Sequence, residues 1–448
     1  MIGCLLGSMF ALRAQDLGWT GTNSLAMPQV GEHSLRVLSP QLLELTLITT
    51  QEKQGAPVSA WDFVGPNYAL KLPSPGQFAV SLDGKAIPVS KVGFKQRPLY
   101  APLKKRDLRI LSQIYLQIQT PVPSGAVVEV KNPTGQLWKS DLQFKTVTDE
   151  NRFNPAIHVN QVGYEPGFPK QAMIGYYLGS LGEMEMPVES GFELLDTKTG
   201  KSVFSGPLTA RPDRGFTYMP TPYQRVHQAD FTAFNTPGIY QLHVKGMGCS
   251  YPFEIQSGAI ATFARAYALG LYHQRCGTNN ALPFTRFTHD ACHTAPAEVP
   301  DRTFKEAQQI IAQITAGAKE DPRHTAPQLK NTDASLYPFV RKGKIDVSGG
   351  HHDAGDYSKY TINSAGLIHA LVFAADNFSG AGTLDNLGLP ESGDGKSDLL
   401  QEAKWEADFL AKMQDTDGGF YFLVYPKTRQ YEDNVLPQNG DPQIVWPK

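Results

Sequence analysis

Two aspartates three residues apart, Asp353 and Asp356, stand in the stretch VSGGHHDAGDYSKY (347–360), just behind a Gly-Gly pair and two adjacent histidines. If a helix begins there, a spacing of three puts both carboxylates on one face, about 5–6 Å apart at Cβ. Carboxylates so placed can hold one water between them and take its proton. That is the base half of a displacement that inverts a sugar's anomeric centre. The acid half, a protonated carboxyl on the other side of the sugar, must then stand roughly 6.5–9.5 Å away. The competing reading makes Asp356 a helix cap.

A second group of chemical side chains surrounds the first. Cys276, Cys292, His293 and His352 are the ligand types of a closed Cys2His2 zinc site. Fifteen residues separate the two cysteines and His293 follows Cys292 directly, a looser spacing than that of a zinc finger. The same residues also suit a Cys276–Cys292 disulfide in an exported protein, or two buried thiols beside two hydrogen-bonded histidines. Further on, PESGDGKSD supplies Glu391, Asp394 and Asp398. Oxygen-rich loops of this kind suit calcium, and the alternative is a solvated loop leading into a helix cap.

The elements that must position these groups change in kind along the chain. Residues 33–150 read as β: LLELTLITT and IYLQIQT are strand-like, and FAVSLDGKAIPV carries an Asp-Gly turn between two strands. Residues 153–257 begin again, with the hairpin FELLDTKTGKSVFSG and the strands TPGIYQLHV and SYPFEI, and predict a second β-sandwich of immunoglobulin type. After residue 258 the apolar period becomes helical. Four helices are expected, in AIATFARAYALGLYHQRC, TFKEAQQIIAQITAGAKE, YTINSAGLIHALVFAADNF and SDLLQEAKWEADFLAKMQ. The third would carry Tyr360, Ser364, Ile368, Leu371 and Ala375 on one face. The fourth would be capped by Ser397, with Asp398 in its first turn and a stripe of Leu399, Ala403, Ala407 and Leu410. The predicted architecture is two all-β sandwiches followed by an all-α domain, in a multidomain chain.

Composition bounds what such a chain does. Its 448 residues suffice for two to four domains with large cores. A net charge of −2 gives no electrostatic case for nucleic acid or an anionic membrane. No apolar run approaches the ~18 residues of a membrane-spanning helix. The start, MIGCLLGSMFALRAQD, resembles the end of a signal peptide cleaved after Ala14 (residues 1–14), which implies a secreted or periplasmic protein. Cys4 would leave with it, and the odd remainder of Cys249, Cys276 and Cys292 does not suit a pure disulfide framework.

The ordered motifs carry a resemblance. VNQVGYEPGFPKQAMI is similar to the opening of the immunoglobulin-like module that precedes bacterial cellulases. QRCG, DACH, IDVSGGHHDAGDYSKY and LPESGDGKSDLLQEAKWEADFLAKMQDTDGGFY resemble, in that order, the first half of glycoside hydrolase family nine. The resemblance covers residues 155–448, with 259–448 as the N-terminal part of the catalytic domain, a partial (α/α)6 barrel. It implies inverting hydrolysis of β-1,4-glucan polysaccharide or oligosaccharide. Asp353 and Asp356 would hold the attacking water, with Asp356 as general base. A structural zinc would sit on Cys276, Cys292, His293 and His352, and some relatives hold calcium near the PESGDGKSD segment. Xyloglucanase, cellobiohydrolase and exo-β-glucosaminidase activities occur within the same class, while a non-catalytic glycan-binding or scaffolding protein would not need the aspartate pair. His351 departs from the aromatic residue that often precedes the last zinc ligand. The glutamate acid of the family lies far towards the C-terminus and has no counterpart among the motifs here. The expectation is therefore a C-terminally truncated catalytic domain that is inactive alone.

Overall fold

The computed structural model describes residues 28–52, 56–100, 108–186, 188–211, 225–299, 339–426, 436–439 and 442–445. The predicted leader (1–14) and the predicted helix in TFKEAQQIIAQITAGAKE lie outside the described residues. The chain divides into two compact units, Met1–Ile260 and Ala261–Lys448.

The first unit holds both β-modules. Strands His33–Ser39 (β1), Leu42–Gln51 (β2), Ala79–Leu82 (β3), Lys85–Ile87 (β4), Val89–Tyr100 (β5), Leu108–Ile118 (β6), Val127–Lys131 (β7) and Phe144–Val147 (β8) form two antiparallel sheets, ordered β1-β2-β6-β5 and β4-β3-β7-β8. Leu43, Leu45, Leu47, Ile114, Leu116, Val128, Val130 and Phe144 fill the space between them. The alternation of these residues along each strand puts the apolar set on one face, as a period of two requires. The Asp-Gly turn predicted after Leu82 is present, with Asp83 and Gly84 both at positive φ.

The second module uses Ile157–His158 (β9), Gln171–Ile174 (β10), Phe192–Asp196 (β11), Ser202–Gly206 (β12), Leu208–Ala210 (β13), His227–Asp230 (β14), Gly238–Val244 (β15), Gly248–Cys249 (β16) and Phe253–Ile255 (β17). Its sheets run β13-β14-β10-β9 and β12-β11-β15-β16, with β17 also on β15. A core of Ile174, Leu194, Phe231, Leu242 and Ile255 lies between them. The two modules are joined by buried polar contacts that the sequence pattern does not show. Asn154 Nδ2 donates to Leu38 O at 2.6 Å and to Met247 O at 2.9 Å. The fully buried Glu44 accepts from Arg36 at 2.9 Å, from Gln113 at 2.8 Å and from the Tyr176 hydroxyl at 3.2 Å.

The second unit departs from the all-α expectation. Three helices are described, Ala259–Gln274 (α1, beginning in the first unit), Thr361–Asn377 (α2) and Asp398–Lys412 (α3). Beside them lies a five-stranded sheet of Ala297–Val299 (β18), Gly343–Ile345 (β19), Lys359–Tyr360 (β20), Leu423–Pro426 (β21) and Gln443–Val445 (β22), in the order β19-β18-β22-β21-β20. Strands of two to four residues are too short to carry a readable period in sequence. They gain their apolar contacts from α3, through a core of Val299, Val347, Phe409, Met413, Tyr421, Val424 and Val445.

Ser397 caps α3 as expected, accepting from Leu400 N–H at 3.4 Å. The stripe is rotated from the predicted one: the buried positions are Asp398, Glu402, Ala403, Glu406 and Phe409. Hydrophobicity alone could not find this face, because two of its members are glutamates. On α2, Ser364 is buried while Ile368, Leu371 and Ala375 are half-buried, in agreement with the predicted face; Tyr360 precedes the helix. Among the described residues no helix is long and apolar enough to cross a membrane.

Candidate functional site

The second unit brings the predicted residues together by pairing two loops edge to edge. Arg275 and His351 form an antiparallel bridge, with Cys276 N–H donating to Gly350 O and His352 N–H to Gln274 O, each at 2.8 Å. Side chains alternate across such a pair. Arg275 and His351, opposite one another, therefore share one face, and Cys276 and His352 share the other. The adjacent histidines in GGHHDAGD thus have two different surroundings.

The close approach of the loops requires glycine. Gly350 has φ +73°, and a Cβ there would sit 2.6 Å from the Phe409 ring of α3. Gly277, at φ +84°, faces Gly349 N, which a Cβ would meet at 2.9 Å. Left-handed backbone together with contact distances this short excludes any larger residue. Trp405 Nε1 of α3 then donates to Gly350 O at 3.1 Å, and the buried Lys359 donates to Val347 O at 2.5 Å and Gly349 O at 3.0 Å.

On one face stands the Cys/His group. The ligand atoms of Cys276, Cys292, His293 and His352 all lie within 4.8 Å of one another. Cys276 Sγ is 3.7 Å from His293 Nδ1, and Cys292 Sγ is 3.9 Å from His352 Nε2. Bonds of about 2.0–2.3 Å in a tetrahedron around one ion separate its ligands by about 3.3–3.8 Å, so the cluster is near that size without any change of fold. Both cysteines are free, which removes the disulfide reading. The Cys292 thiol, hydrogen-bonded to Cys276, holds Cys276 well below the usual thiol range, while Cys292 is itself pushed up. Burial pushes His352 down towards the neutral imidazole that binds metals. His293 adopts φ 49°, a left-handed backbone that a non-glycine residue takes up only when its surroundings impose it. Among the described residues, no other set of three or more ligand-type side chains is this compact.

On the other face lies a charge cluster that sequence reasoning missed. Arg275 Nε donates to both carboxylate oxygens of Glu402 at 3.1 Å, and its two terminal nitrogens reach Glu391. His351 donates from Nε2 to Glu402 at 2.5 Å and from Nδ1 to Glu406. The Arg275 guanidinium also lies 5.3 Å from the centroid of the Trp405 ring. The i, i+4 spacing of Glu402 and Glu406 on α3 was the available signal. Removing one partner of a buried ion cluster typically costs about 3–5 kcal/mol, because the remaining charge is left uncompensated.

Burial alone would lower the His351 pKa. The hydrogen bonds to Glu402 and then Glu406 outweigh it and hold the imidazolium up to about 9. The same bonds from His351 and Arg275 overcome burial at Glu402 and keep its carboxyl below the usual range. A histidine with a raised folded pKa contributes stability that is complete below about pH 6.5, its free value, and is lost as pH climbs through about 9. The linkage is of the order of 3 kcal/mol. Thermal melts of the 448-residue chain should therefore show the second unit losing stability between pH 7 and 10, and His351→Gln should flatten that dependence. A slope that survives in the variant would assign the loss to other groups.

The aspartates follow directly. Asp353 and Asp356 sit in a bend between His352 and β20, not in a helix as the spacing suggested, because α2 begins only at Thr361. The Asp353 N–H donates to Ser358 O at 2.8 Å and closes the loop. Asn363 Nδ2 of α2 donates to Asp353 Oδ1 at 2.6 Å, and Gln274 Nε2 of α1 to Ala354 O at 3.1 Å. The cap position of α2 belongs to Tyr360 with no side-chain bond, so the capping reading of Asp356 fails. Asp353 is exposed and Asp356 half-exposed, within reach of a solvent-borne substrate.

The PESGDGKSD carboxylates go to separate partners. Glu391 meets Arg275, and Asp394 accepts from Lys396 N–H at 2.9 Å. The buried Asp398 accepts from Leu387 N–H and the Ser392 hydroxyl, each at 2.8 Å, and so ties the loop to the start of α3.

Comparison with known proteins adds to this geometry. Residues 152–249 match the family described as cellulase N-terminal ig-like domain, and residues 262–439 that described as glycosyl hydrolase family 9. Endoglucanase D of Acetivibrio thermocellus is 25% identical over 344 residues, covering 76% of this chain and 43% of the relative. A xyloglucan-specific endo-beta-1,4-glucanase of Bacteroides ovatus is 27% identical over 290 residues, 63% of this chain and 40% of that protein. Among solved structures, a metagenome-derived glycoside hydrolase family 9 endoglucanase aligns at TM-score 0.47 and 26% identity, over 65% of this chain and 46% of its own. The chain spans less than half the length of these relatives.

Proposed function

We propose, on the premise that this chain belongs to glycosyl hydrolase family 9 behind a cellulase N-terminal immunoglobulin-like domain, that its second unit supplies the water-activating half of an inverting β-1,4-glucanase. The observation that carries this reading is the loop of Asp353 and Asp356, held at its backbone, braced through Asn363, and open to solvent. Asp356 takes the proton of the attacking water, and Asp353, oriented by Asn363, holds the water with it. The base in such a mechanism stands on the far side of the sugar from the acid.

The acid is not Glu402 or Glu406. Both are buried and bonded to His351, with Glu402 also on Arg275, so neither presents a carboxyl to a substrate. These glutamates hold the loop, and proton donation falls to a carboxyl outside the described set. The (α/α)6 barrel of the family supports the same division, with this chain contributing its N-terminal helices.

The Cys/His group fits zinc: two buried thiols, the buried His352 and the half-buried His293 lie in a compact set, with no disulfide between the cysteines. Zinc bound by Cys276, Cys292, His293 and His352 would supply no step of the reaction. Its role would be to fix the position of the loop that begins at His352, one residue before Asp353. Export fits an enzyme whose substrate is a polymer outside the cell.

The reading is tested by product stereochemistry. The longest gene product containing these residues, incubated with cellooligosaccharides and followed by proton NMR, should release the α-anomer first. Initial release of the β-anomer would exclude direct displacement by the water between these aspartates and with it the inverting assignment.

A further inference from the structure

The first β-module carries a surface feature that its core does not require. Residues 63–71 form a short hairpin, with Lys71 N–H donating to Phe63 O at 2.8 Å, Gly65 N–H to Ala69 O at 2.7 Å, and Val64 bridged to Leu70. Its tip is closed by Ala69 N–H to Pro66 O at 3.3 Å, with Asn67 at φ 56°, ψ 30° and Tyr68 at φ 60°. Two consecutive residues at positive φ make a type I′ turn, whose central positions favour Asn-Gly. Asn67 fits. The next residue is a tyrosine, in a conformation that disfavours an L side chain.

Tyr68 is 89% exposed, the most exposed large hydrophobic side chain among the described residues. The hairpin below it is firmly held. Phe63 meets the Phe94 ring edge-on at 5.1 Å and packs, with Val64, against the module's core. The neighbouring Trp61 is buried, and its Nε1 donates to Leu137 O at 2.9 Å. A rigid mount, an unfavourable backbone and a ring left in water together give the fold nothing, and strained residues of this kind mark recognition sites.

We propose that Tyr68 is a stacking platform for one pyranose unit of a β-1,4-glucan chain, a polysaccharide contact on the first β-module. A tyrosine offers a large amphipathic face with only two side-chain torsions to freeze. A β-linked glucose unit carries its ring hydroxyls equatorially, so its faces are flat and lined with C–H groups, about the size of one aromatic ring. Asn67 and Lys71 of the same hairpin, both exposed, carry groups that hydrogen-bond hydroxyls. A protein partner would need about 800 Å² on each side, far more than a hairpin tip supplies. One weak contact is effective on a polymer, because each repeat unit offers it again and a second contact elsewhere on the chain raises the effective concentration. The choice of glucan rests on the hydrolase reading of the second unit; the stacking site rests on the hairpin.

Affinity electrophoresis through gels containing mixed-linkage β-glucan, with parallel gels of xylan and of glycol chitin, tests this on the 448-residue chain. The unaltered chain and Tyr68→Phe should be retarded by the glucan, and Tyr68→Gly should bind roughly threefold to tenfold more weakly. The melting temperature of Tyr68→Gly should be unchanged or higher, since Asn-Gly is the favoured pair in this turn. Glycine binding as well as tyrosine, or losing binding together with a lower melting temperature, would overturn the proposal. Retardation confined to xylan or glycol chitin, and lost in Tyr68→Gly, would uphold the ring and overturn glucan as its ligand. Failure to be retarded by any of the three would overturn the proposal and leave the hydrolytic reading to the anomer experiment.

Discussion

Asp356→Asn should lower β-glucan turnover by at least ~10²–10⁴ in the longest gene product that contains these residues, while substrate still binds. Abstraction of the water proton by a positioned base contributes about that much. The amide also removes a negative charge that faces a developing oxocarbenium ion, so the loss can be greater. Asp356 does not occupy the cap position of α2, and the backbone bond from Asp353 to Ser358 and the Asn363 and Gln274 side chains close the loop in the variant as well. Nor can a neighbour take over, because Glu402 and Glu406 are committed to Arg275 and His351. Initial rates and binding of cellooligosaccharides, measured on the same preparation, check it. Turnover near that of the unaltered enzyme would show that Asp356 is a structural residue of the bend.

What was legible in the sequence follows physical scale. The β-modules and the three described helices were readable because their apolar periods extend over many residues, as in LLELTLITT and AIATFARAYALGLYHQ. The strands of the second unit were not, since Lys359–Tyr360 or Gly343–Ile345 is shorter than one readable period and pairs with segments far away in sequence. The DxxD spacing puts its two carboxylates on one face only if a helix has already begun at Asp353. The Gly349-Gly350 pair and the Asp353–Ser358 closure keep residues 353–358 in a bend, and α2 begins at Thr361, within one residue of the start expected from YTINSAGLIHALVFAADNF. The residue types of the Cys/His group were legible but its closure was not, because that depends on the pairing of residues 274–276 with 350–352. The buried glutamates of α3 show the same limit in another form: Glu402 and Glu406 lie off the apolar stripe expected from the sequence, and Arg275 and His351, distant in the chain, are what bury them.

Loss of the metal should unfold the second unit at a temperature where the β-modules remain folded. The Cys/His group joins Cys276, which follows α1, to Cys292 and His293, and these to His352, which opens the aspartate loop. Without an ion, the Cys292 thiol, then Lys359, His293 and His352, draw the Cys276 thiol well below its usual range and favour its charged form. An ion neutralises that charge, deprotonates Cys292 as well, and adds binding free energy to folding, since the unfolded chain does not present the site. Metal analysis of the purified chain should find about one zinc per chain. Chelation, or Cys292→Ser, should then split the melting profile into an early transition for the second unit and an unchanged one for the β-modules, which carry none of the four ligands. Near-ultraviolet circular dichroism should follow the early transition through Tyr357, whose ring lies 5.0 Å from His352 and 5.6 Å from His293. Acidification should mimic chelation as the ligands take up protons. A single unshifted melt in Cys292→Ser, or metal-free protein that melts as the metal-loaded form does, would reduce the four side chains to buried thiols beside two histidines.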